Sequence, residues 1–384
     1  MKHIDRQILQ IALPSIVSNI TVPLLGLIDV AIVGHLGSPA YIGALAVGGM
    51  LFNIIYWIFG FLRMGTSGMT SQAYGKRDLP EIVRLLMRSV GIGLAVALCL
   101  ILLQVPIRQA AFLIIHPTAE VREMATLYFH ICIWGAPAML GLYGLSGWFI
   151  GMQNSRIPMY IAITQNIVNI IASLSFVCFF KMKVEGVAFG TLIAQYAGFI
   201  MGLVLWMSRY GKLKKYILWK GVLQKEAMMR FFQVNRDIFL RTLCLVTVTL
   251  FFTSAGASQG EIILAVNTLL MQLFTLFSYV MDGFAYAGEA LSGRYIGARN
   301  RKAFTNTTRH LFIWGGWLAA FFTLVYALGG NAFLGLLTDN KDVVSAAGTY
   351  FYWALAIPVA GIAAFIWDGI FIGATATRGM LASM

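Results

Sequence analysis

Residues 8–35 read "ILQIALPSIVSNITVPLLGLIDVAIVGH", an apolar run that contains one acid, Asp29. The run is longer than the roughly 20 residues that a helix needs to cross a hydrocarbon core about 30 Å thick. An acid in the middle of such a helix costs about 2.5–3.5 kcal/mol even on lenient insertion scales, so it is normally retained for a function. The stretch therefore predicts a membrane helix with a candidate functional carboxylate near its end.

The composition of the whole chain extends this interpretation. Hydrophobic residues make up 59% and charged residues 11% of the 384 positions, whereas soluble domains have about 45–50% and about 25%. Comparable apolar windows recur ten times along the chain. They cover residues 8–35, 41–73, 85–106, 121–151, 158–180, 186–208, 235–255, 262–292, 310–337 and 345–375. We predict an all-α polytopic membrane protein whose first helix is not a cleaved secretory signal.

The net charge of +13 does not indicate nucleic-acid binding, because the basic residues sort by membrane side. Of the 28 Lys and Arg residues, 22 fall on the side that holds the N-terminus. Basic residues concentrate in cytoplasmic connections of membrane proteins. The distribution therefore predicts a cytoplasmic N-terminus and no nucleic-acid partner.

An internal repeat links the two halves of the chain. A shift of 222 residues lays "YGKRD" (74–78) over "IGARN" (296–300), and the same shift lays "GWFIGMQNSR" (147–156) over "GIFIGATATR" (369–378). One offset that serves both pairs indicates a duplicated helical bundle. Because each copy begins on the same side of the membrane, the axis that relates the copies should run along the membrane normal.

The most basic segment of the chain separates six spans from four. We predict an N-terminal lobe at 1–208, a basic cytoplasmic linker at 209–234 and a C-terminal lobe at 235–384. The first copy continues beyond the position that matches Met384 into two more spans. We therefore expect a truncated sequence that lacks the last two helices, with a natural ten-helix protein as the alternative.

Enzyme signatures are missing from the sequence. It contains no P-loop, no dinucleotide fingerprint and no His, Cys or acid cluster at metal-ligand spacing. The four cysteines fall inside apolar spans without paired ligand spacing. We expect neither an enzyme nor a bound cofactor or metal, and look instead to ionisable groups inside the spans.

Charged residues within the spans must find a partner, a water-filled cavity or a proton. They are Asp29, Arg63, Asp282, Glu289 and Asp368. Asp282 and Glu289 are seven residues apart and so share a helix face, which predicts that both point into the bundle. Each acid has a structural alternative, a hydrogen-bonded or ion-paired group without a transport role. Glu289 could pair with Arg63 or Arg294, and Arg63 itself is interpreted as structural.

A polar strip marks the fifth span. It comprises Gln165, Asn166, Asn169 and Ser173, and Thr191 follows in the sixth span. Such side chains could coordinate an ion or water. They could equally hold helices together, at about 0.6 kcal/mol each. In the first span, Pro14 and Pro23 allow the helix to bend, so Asp29 lies beyond two potential hinges.

Several longer motifs resemble one transporter family. They are "ALPSI" (12–16), "DVAIVGHLG" (29–37), "QAYGKRD" (72–78), "DGFAYAGEALSGRYIGARN" (282–300) and "WDGIFIGATATR" (367–378). Together they resemble the multidrug and toxic compound extrusion (MATE) family, and in particular its DinF-like branch. The resemblance covers the whole chain. It implies twelve helices in two six-helix lobes around a central cavity, and export of amphipathic, often cationic compounds from bacteria, driven by entry of Na⁺ or H⁺ across the inner membrane.

The resemblance also implies a coupling site. The first-helix acid of the family falls on Asp29, and its partners in the fifth and sixth helices fall on Asn169 and Thr191. Ser173 stands where the family usually has a second acid. Two carboxylates suit Na⁺, whereas one carboxylate suffices for a proton, so this departure favours H⁺. The acids of the C-terminal lobe, Asp282, Glu289 and Asp368, would form a second polar site centred on the last of these.

These observations lead to a leading hypothesis and an alternative. The leading hypothesis is a monomeric inner-membrane antiporter that exchanges external H⁺, rather than Na⁺, for an intracellular amphipathic compound, without any cofactor beyond the coupling ion. The alternative is a flippase for lipid-linked precursors. An anionic lipid-phosphate cargo would need a cationic cavity, and only Arg63 and Arg241 could point inward against four acids within the spans.

Overall fold

The computed structural model describes residues 2–35, 38–337 and 341–383, without the side chains of residues 2, 331, 336 and 337. Fourteen α-helices and two short 3₁₀ segments, Ile133–Gly135 and Gly211–Tyr216, make up nearly all of this part of the chain. The α-helices are α1 (Lys2–Gly34), α2 (Pro39–Ile58), α3 (Phe61–Lys76), α4 (Leu79–Leu102), α5 (Gln104–Ile115), α6 (Ala119–Cys132), α7 (Ala136–Gly151), α8 (Arg156–Cys178), α9 (Val184–Tyr210), α10 (Lys225–Ser258), α11 (Glu261–Gly297), α12 (Arg301–Leu337), α13 (Lys341–Gly373) and α14 (Thr377–Ala382).

Ten helical stretches in the described ranges are long and apolar enough to cross a membrane, as the sequence predicted. Two of them are interrupted. The predicted span 41–73 is built from α2 and α3 with a break before Phe61, and the predicted span 121–151 contains the 3₁₀ turn between α6 and α7. Gly60 and Pro137, both poor helix formers, lie at these two breaks. The short helix α5 was not predicted.

Helix α1 runs through both of its prolines without interruption. A proline has no N–H, so Pro14 leaves the carbonyl of Gln10 without its usual donor four residues later. The Ser155 hydroxyl lies 3.3 Å from that carbonyl and 2.8 Å from the carbonyl of Ile11, and can donate to either. A neighbouring helix end thus places a hydroxyl donor beside the backbone group that the proline frees.

The 222-residue repeat is confirmed by unusual backbone angles. Arg77 and Arg299 have φ values of 59° and 55°, and Gln153 and Thr375 have φ values of 66° and 52°. Both pairs are 222 positions apart. Each residue follows the end of a long helix, where the left-handed conformation closes the last turn. Helices α3 and α11 therefore end alike, and so do α7 and α13.

The packing between helices repeats with the same offset. The backbone of Gly147 in α7 lies directly against the carbonyl of Arg63 in α3, and the backbone of Gly369 in α13 lies against the carbonyl of Ala285 in α11. Each member of the second pair is 222 positions after its counterpart in the first. The duplication thus extends from the sequence to the way in which two helices of each copy approach each other.

The axis that relates the copies passes between α3 and α11. Ser71 and Gly293, which are equivalent in the repeat, contact each other. Ser67 and Glu289, also equivalent, interact one turn earlier. Two residues that are equivalent in the repeat can contact each other only where the axis passes between them. Because both contacts lie between α3 and α11 and these helices run in the same direction, the axis runs parallel to the two helices. This confirms the predicted parallel duplication, while the lobe boundaries at 208 and 235 stay a prediction.

We predict that adding one methyl group at Gly147 or Gly369 destabilises the bundle. A Cβ at either position would overlap the facing carbonyl oxygen, so Gly147→Ala and Gly369→Ala should each lower the free energy of unfolding by about 1–3 kcal/mol. Thermal unfolding of the purified protein in detergent measures the change. Gly316→Ala is the matched control, because no heavy atom apart from its chain neighbours and the backbone of its own helix lies within 4 Å of its Cβ position, and it should be neutral or slightly stabilising. Equal melting temperatures for all three variants would contradict this account of the packing.

Candidate functional site

Asp29 is buried inside the first copy and does not face lipid. Its exposed fraction is 7%, and the side chains of Asn169 on α8 and Thr191 on α9 are the polar groups that lie close enough to interact with its carboxylate. Asn169 is fully buried and donates from Nδ2 to Thr191 Oγ1 over 3.1 Å. One carboxylate oxygen, Oδ1, is buried and has no hydrogen-bond partner among the described residues. The structure thus brings together the acid, amide and hydroxyl that the sequence predicted.

Ser173 completes the predicted set but reaches a different partner. Its hydroxyl donates to Asn169 Oδ1 over 3.5 Å, and its side chain is fully buried. Gly190 on α9 lies directly against it, so the two helices approach closely at this level. Ser173 therefore contacts Asn169, and through it is joined to the residues around Asp29.

Two further residues at this site were missed by the sequence analysis. Tyr128 on α6 interacts with Thr191 and is close enough to Asp29 to interact with its charge. Cys132 lies one turn later on α6 and is close to both Tyr128 and Asp29. Both side chains occur in an apolar stretch, where Tyr and Cys are ordinary core residues. Nothing in their spacing distinguishes them, because their role depends on contact with a helix more than 90 residues away.

The remaining intramembrane charges form a second cluster between the two copies. Arg241 Nη2 lies 2.6 Å from Asp368 Oδ1, and the two side chains are 11% and 21% exposed. Arg63 Nη1 lies 3.6 Å from Glu289 Oε2, and the guanidinium carbon stands 4.2 Å from the centre of the Tyr286 ring. Of the two partners predicted for Glu289, Arg63 and Arg294, the structure shows Arg63. The pairing of Arg241 with Asp368 was not predicted.

Asp282 belongs to the same cluster. It lies in the electrostatic field of Arg63, Arg241 and Asp368. It also shares its helix face with Glu289, as the seven-residue spacing predicted. Three acids and two arginines therefore converge, which leaves an excess of negative charge when all five are ionised.

The two sites differ in how their acids are neutralised. Glu289 and Asp368 each have an arginine within 4 Å. In the part of the chain that the structure describes, no Lys, Arg or His forms an ion pair with Asp29. Asp29 is thus a buried acid with neutral partners, whereas Glu289 and Asp368 have arginine counter-ions; Asp282 forms no ion pair among the described residues.

Polar bonds join the two copies at the end of the bundle where α3 and α11 terminate, which we call the basic end because Arg77, Arg294 and Arg299 lie there. Gln72 donates from Nε2 to the carbonyl of Gly373 over 3.0 Å. Gln153 donates from Nε2 to the carbonyl of Ala290 over 2.8 Å. The copies are therefore closed against each other at this end.

The duplicated bundle, the ten apolar helices of the described residues and the buried acids together define a polytopic helical membrane protein with ionisable groups in its interior. Its fold matches solved transporters. The MATE transporter VcmN of Vibrio cholerae in the bent form aligns with a TM-score of 0.87 and 18% identity over 99% of this chain and 86% of that chain. The outward-facing conformation of a multidrug resistance MATE family transporter of the MOP superfamily aligns with a TM-score of 0.83 and 19% identity, over 97% and 84%.

Sequence comparisons give the family. Residues 14–174 and 238–384 match the family model MatE. DNA damage-inducible protein F of Escherichia coli (strain K12) is 38% identical over 384 residues, which cover 99% of this chain and 83% of that protein. The chloroplastic protein DETOXIFICATION 45 of Arabidopsis thaliana is 24% identical, over 96% and 69%. The chain belongs to the MatE family of multidrug and toxic compound extrusion transporters, and it is a transporter, not an enzyme.

The Arg241–Asp368 pair provides a test of the second cluster. Asp368→Asn leaves a mostly buried guanidinium without its counter-ion, so we expect a loss of about 1–3 kcal/mol in unfolding free energy, below the ~3–5 kcal/mol of a fully buried pair. Arg241→Gln should cost a similar amount, and the double variant should lose less than the sum of the two. Thermal unfolding in detergent measures all three variants. Strictly additive losses would show that the two side chains do not stabilise each other.

Proposed function

We propose that this chain is an H⁺-coupled antiporter of the bacterial inner membrane that exports amphipathic, cationic compounds, with its N-terminus in the cytoplasm. The observation that carries the proposal is the environment of Asp29. A carboxylate with only neutral hydrogen-bond partners changes the net charge of its pocket when it takes a proton. An acid that is paired with arginine must first break that pair.

The donors around Asp29 favour a proton over Na⁺. Hard cations bind several oxygen ligands, and anionic oxygens contribute most to their affinity. Here Asn169, Ser173 and Thr191 supply only neutral oxygens. One carboxylate with neutral partners is enough to bind and release a proton. For Na⁺, the same site offers only half of the negative charge of a site with two carboxylates.

Helix α1 connects the Asp29 site to the contact between the copies. The side chain of Asn19 donates to the carbonyl of Tyr279 on α11 over 3.2 Å, and Asn166 on α8 donates to the carbonyl of Thr21 over 3.0 Å. Pro23 lies between these contacts and Asp29. When Asp29 takes a proton, the part of α1 beyond Pro23 changes its interaction with α8 and α9, and α1 transmits that change to α11.

The membrane potential supplies part of the driving force. With a cytoplasmic N-terminus, the closed basic end faces the cytoplasm, so Asp29 receives its proton from the outside. Each charge that crosses a potential of 100 mV contributes about 2.3 kcal/mol. Protonation removes the attraction between Asp29 and a cationic compound, which is then released outward.

The charge cluster between the copies supports a cationic cargo over the flippase alternative. Arg63 and Arg241 each pair with an acid, and Asp282 is a third carboxyl group of the same cluster. A site for lipid phosphate would need uncompensated cationic groups. The cluster instead presents excess carboxylate to a compound that enters between the copies.

Asp29→Asn tests the coupling role. The amide keeps the shape and hydrogen bonding of the side chain but cannot take up a proton, so export driven by a pH gradient should fall to background while the protein stays folded. Dye efflux from vesicles with an imposed pH gradient measures it. Asp78→Asn is the matched control, since Asp78 is an exposed helix cap whose bond to the Glu81 amide an asparagine can also make. If Asp29→Asn exported dye at the wild-type rate under the gradient, Asp29 would be a structural acid.

Ser173→Asp tests the choice of coupling ion. A second carboxylate next to Asn169 should create Na⁺ dependence, so an inward Na⁺ gradient at equal pH should drive dye export by this variant and not by the wild type. Ser175→Asp, two residues away on another face of α8, should behave like the wild type. Export by the wild type under the Na⁺ gradient alone would overturn the proton assignment.

A further inference from the structure

The connection between α9 and α10 has an unusual composition. Residues 211–224 read "GKLKKYILWKGVLQ" and contain four lysines and no acid. We call these residues the connecting segment. It joins the first copy to the second at the basic end, and the transport mechanism proposed above does not use it.

The connecting segment is fixed to the body of the protein by a buried arginine. Arg88 on α4 donates from Nε to the carbonyl of Val222 over 2.7 Å and from Nη2 to the carbonyl of Gly221 over 2.8 Å. Val222 is 3% exposed, and Gly221 has a φ of +91°, a left-handed conformation that favours glycine. These contacts hold the turn in one orientation.

The same turn presents large apolar side chains outward. Trp219 is 78% exposed, Leu223 is 76% exposed, and Leu218 and Ile217 are 58% and 42% exposed. Single exposed apolar residues are common on proteins and need no explanation. Four of them within seven residues, on a turn that is held in place from behind, form an apolar patch of the kind that marks an interaction surface.

The depth of the connecting segment places it at the membrane boundary. Arg88 is nine residues after the start of α4, or about 14 Å along the helix at 1.5 Å per residue. From Ser89 to Leu102 the helix carries no charged residue. The segment therefore lies beside the level at which α4 passes from polar to apolar surroundings. Indole side chains favour that level of a bilayer.

Basic groups surround the apolar patch. Lys212, Lys214, Lys215 and Lys220 are exposed. A groove of about 520 Å³ separates the turn from α4 and is lined by Arg84, Leu218, Trp219, Lys220, Leu223 and Gln224 among others. The neighbouring acid, Glu81, is occupied by Arg88 at 2.6 Å and by Arg84 at 3.7 Å, so the lysine charges are not compensated by it.

We propose that the connecting segment binds anionic phospholipid headgroups of the leaflet at the basic end. Lysine ammonium groups attract the phosphates of an anionic leaflet, and the exposed Trp and Leu side chains enter the boundary between headgroups and acyl chains. The ligand of this groove has to combine an anionic headgroup with an apolar chain, because the groove presents cationic and apolar side chains next to each other. Because the segment joins α9 to α10, bound lipid would lie at the connection between the two copies.

Lipid retention tests the proposal on the full chain. The protein is placed in nanodiscs of equimolar phosphatidylglycerol and phosphatidylcholine, released into mild detergent, and the retained lipids are counted by native mass spectrometry. The wild type should retain severalfold more phosphatidylglycerol than phosphatidylcholine. The combined change of Lys212, Lys214, Lys215 and Lys220 to Gln should bring that ratio close to one.

A second variant separates the apolar contribution from the charge. Trp219→Ser combined with Leu223→Ser keeps every lysine and should still lower phosphatidylglycerol retention at least twofold. The control changes four exposed basic residues elsewhere at the basic end to Gln, namely Arg301, Lys302, Arg309 and Arg378. It removes the same charge and should keep the wild-type ratio. Size-exclusion profiles show that each variant is folded.

Three outcomes would overturn the proposal. The first is equal retention of the two lipids by the wild type, and the second is a wild-type ratio of phosphatidylglycerol to phosphatidylcholine in the four-lysine variant. The third is a drop of this ratio in the control variant as large as in the four-lysine variant, because the preference would then depend on total charge. Dye export does not enter the readout, so the result is independent of the proposed coupling mechanism.

Discussion

The close contact between α3 and α11 is the interaction on which the rest of the structure depends. Residues 65–73 of α3, "GTSGMTSQA", are almost completely buried, and the equivalent part of α11 is buried with them. In a membrane no hydrophobic force drives helices together, so association relies on close van der Waals packing, which small residues permit. Because residues equivalent in the repeat meet here, α7 and α13 take equivalent places around this pair. Arg63 and Glu289 are brought within ion-pairing distance by the same contact.

The structure treats its buried acids in two ways, and the difference has a physical origin. A buried carboxylate must be compensated by an opposite charge or by hydrogen bonds, or it takes up a proton and becomes neutral. Between the copies, Glu289 and Asp368 each have an arginine partner, which stabilises their charged forms, whereas Asp282 forms no ion pair among the described residues. Asp29 has an amide and a hydroxyl, which can support either protonation state. The fold places Asp29 inside one copy, apart from the arginines of the cluster.

Much of this arrangement could be predicted from local sequence patterns. The spans follow from apolar length, the repeat from a constant offset, and the shared face of Asp282 and Glu289 from helical spacing. The polar set around Asp29 was anticipated with the help of family motifs. The pairing of Arg241 with Asp368 could not be predicted, because the two side chains are more than 120 residues apart and meet only through helix packing. The helix break before Phe61 was also not predicted, because the length of an apolar run does not show where the helix is interrupted within it.

Helix α1 is the element that relates these two kinds of site. Its prolines divide it into three sections, and each section is held by a different neighbour. The hydroxyl of Ser155 meets the section before Pro14, α11 accepts a bond from Asn19 in the middle section, and the helices α8 and α9 hold Asp29 beyond Pro23. A continuous helix without prolines would move as one rod, and a change at its end would shift all three contacts together. In the mechanism proposed above, the prolines allow the last section to respond to the protonation of Asp29 while the middle section contacts α11, so a local change in charge would change the angle between the two copies.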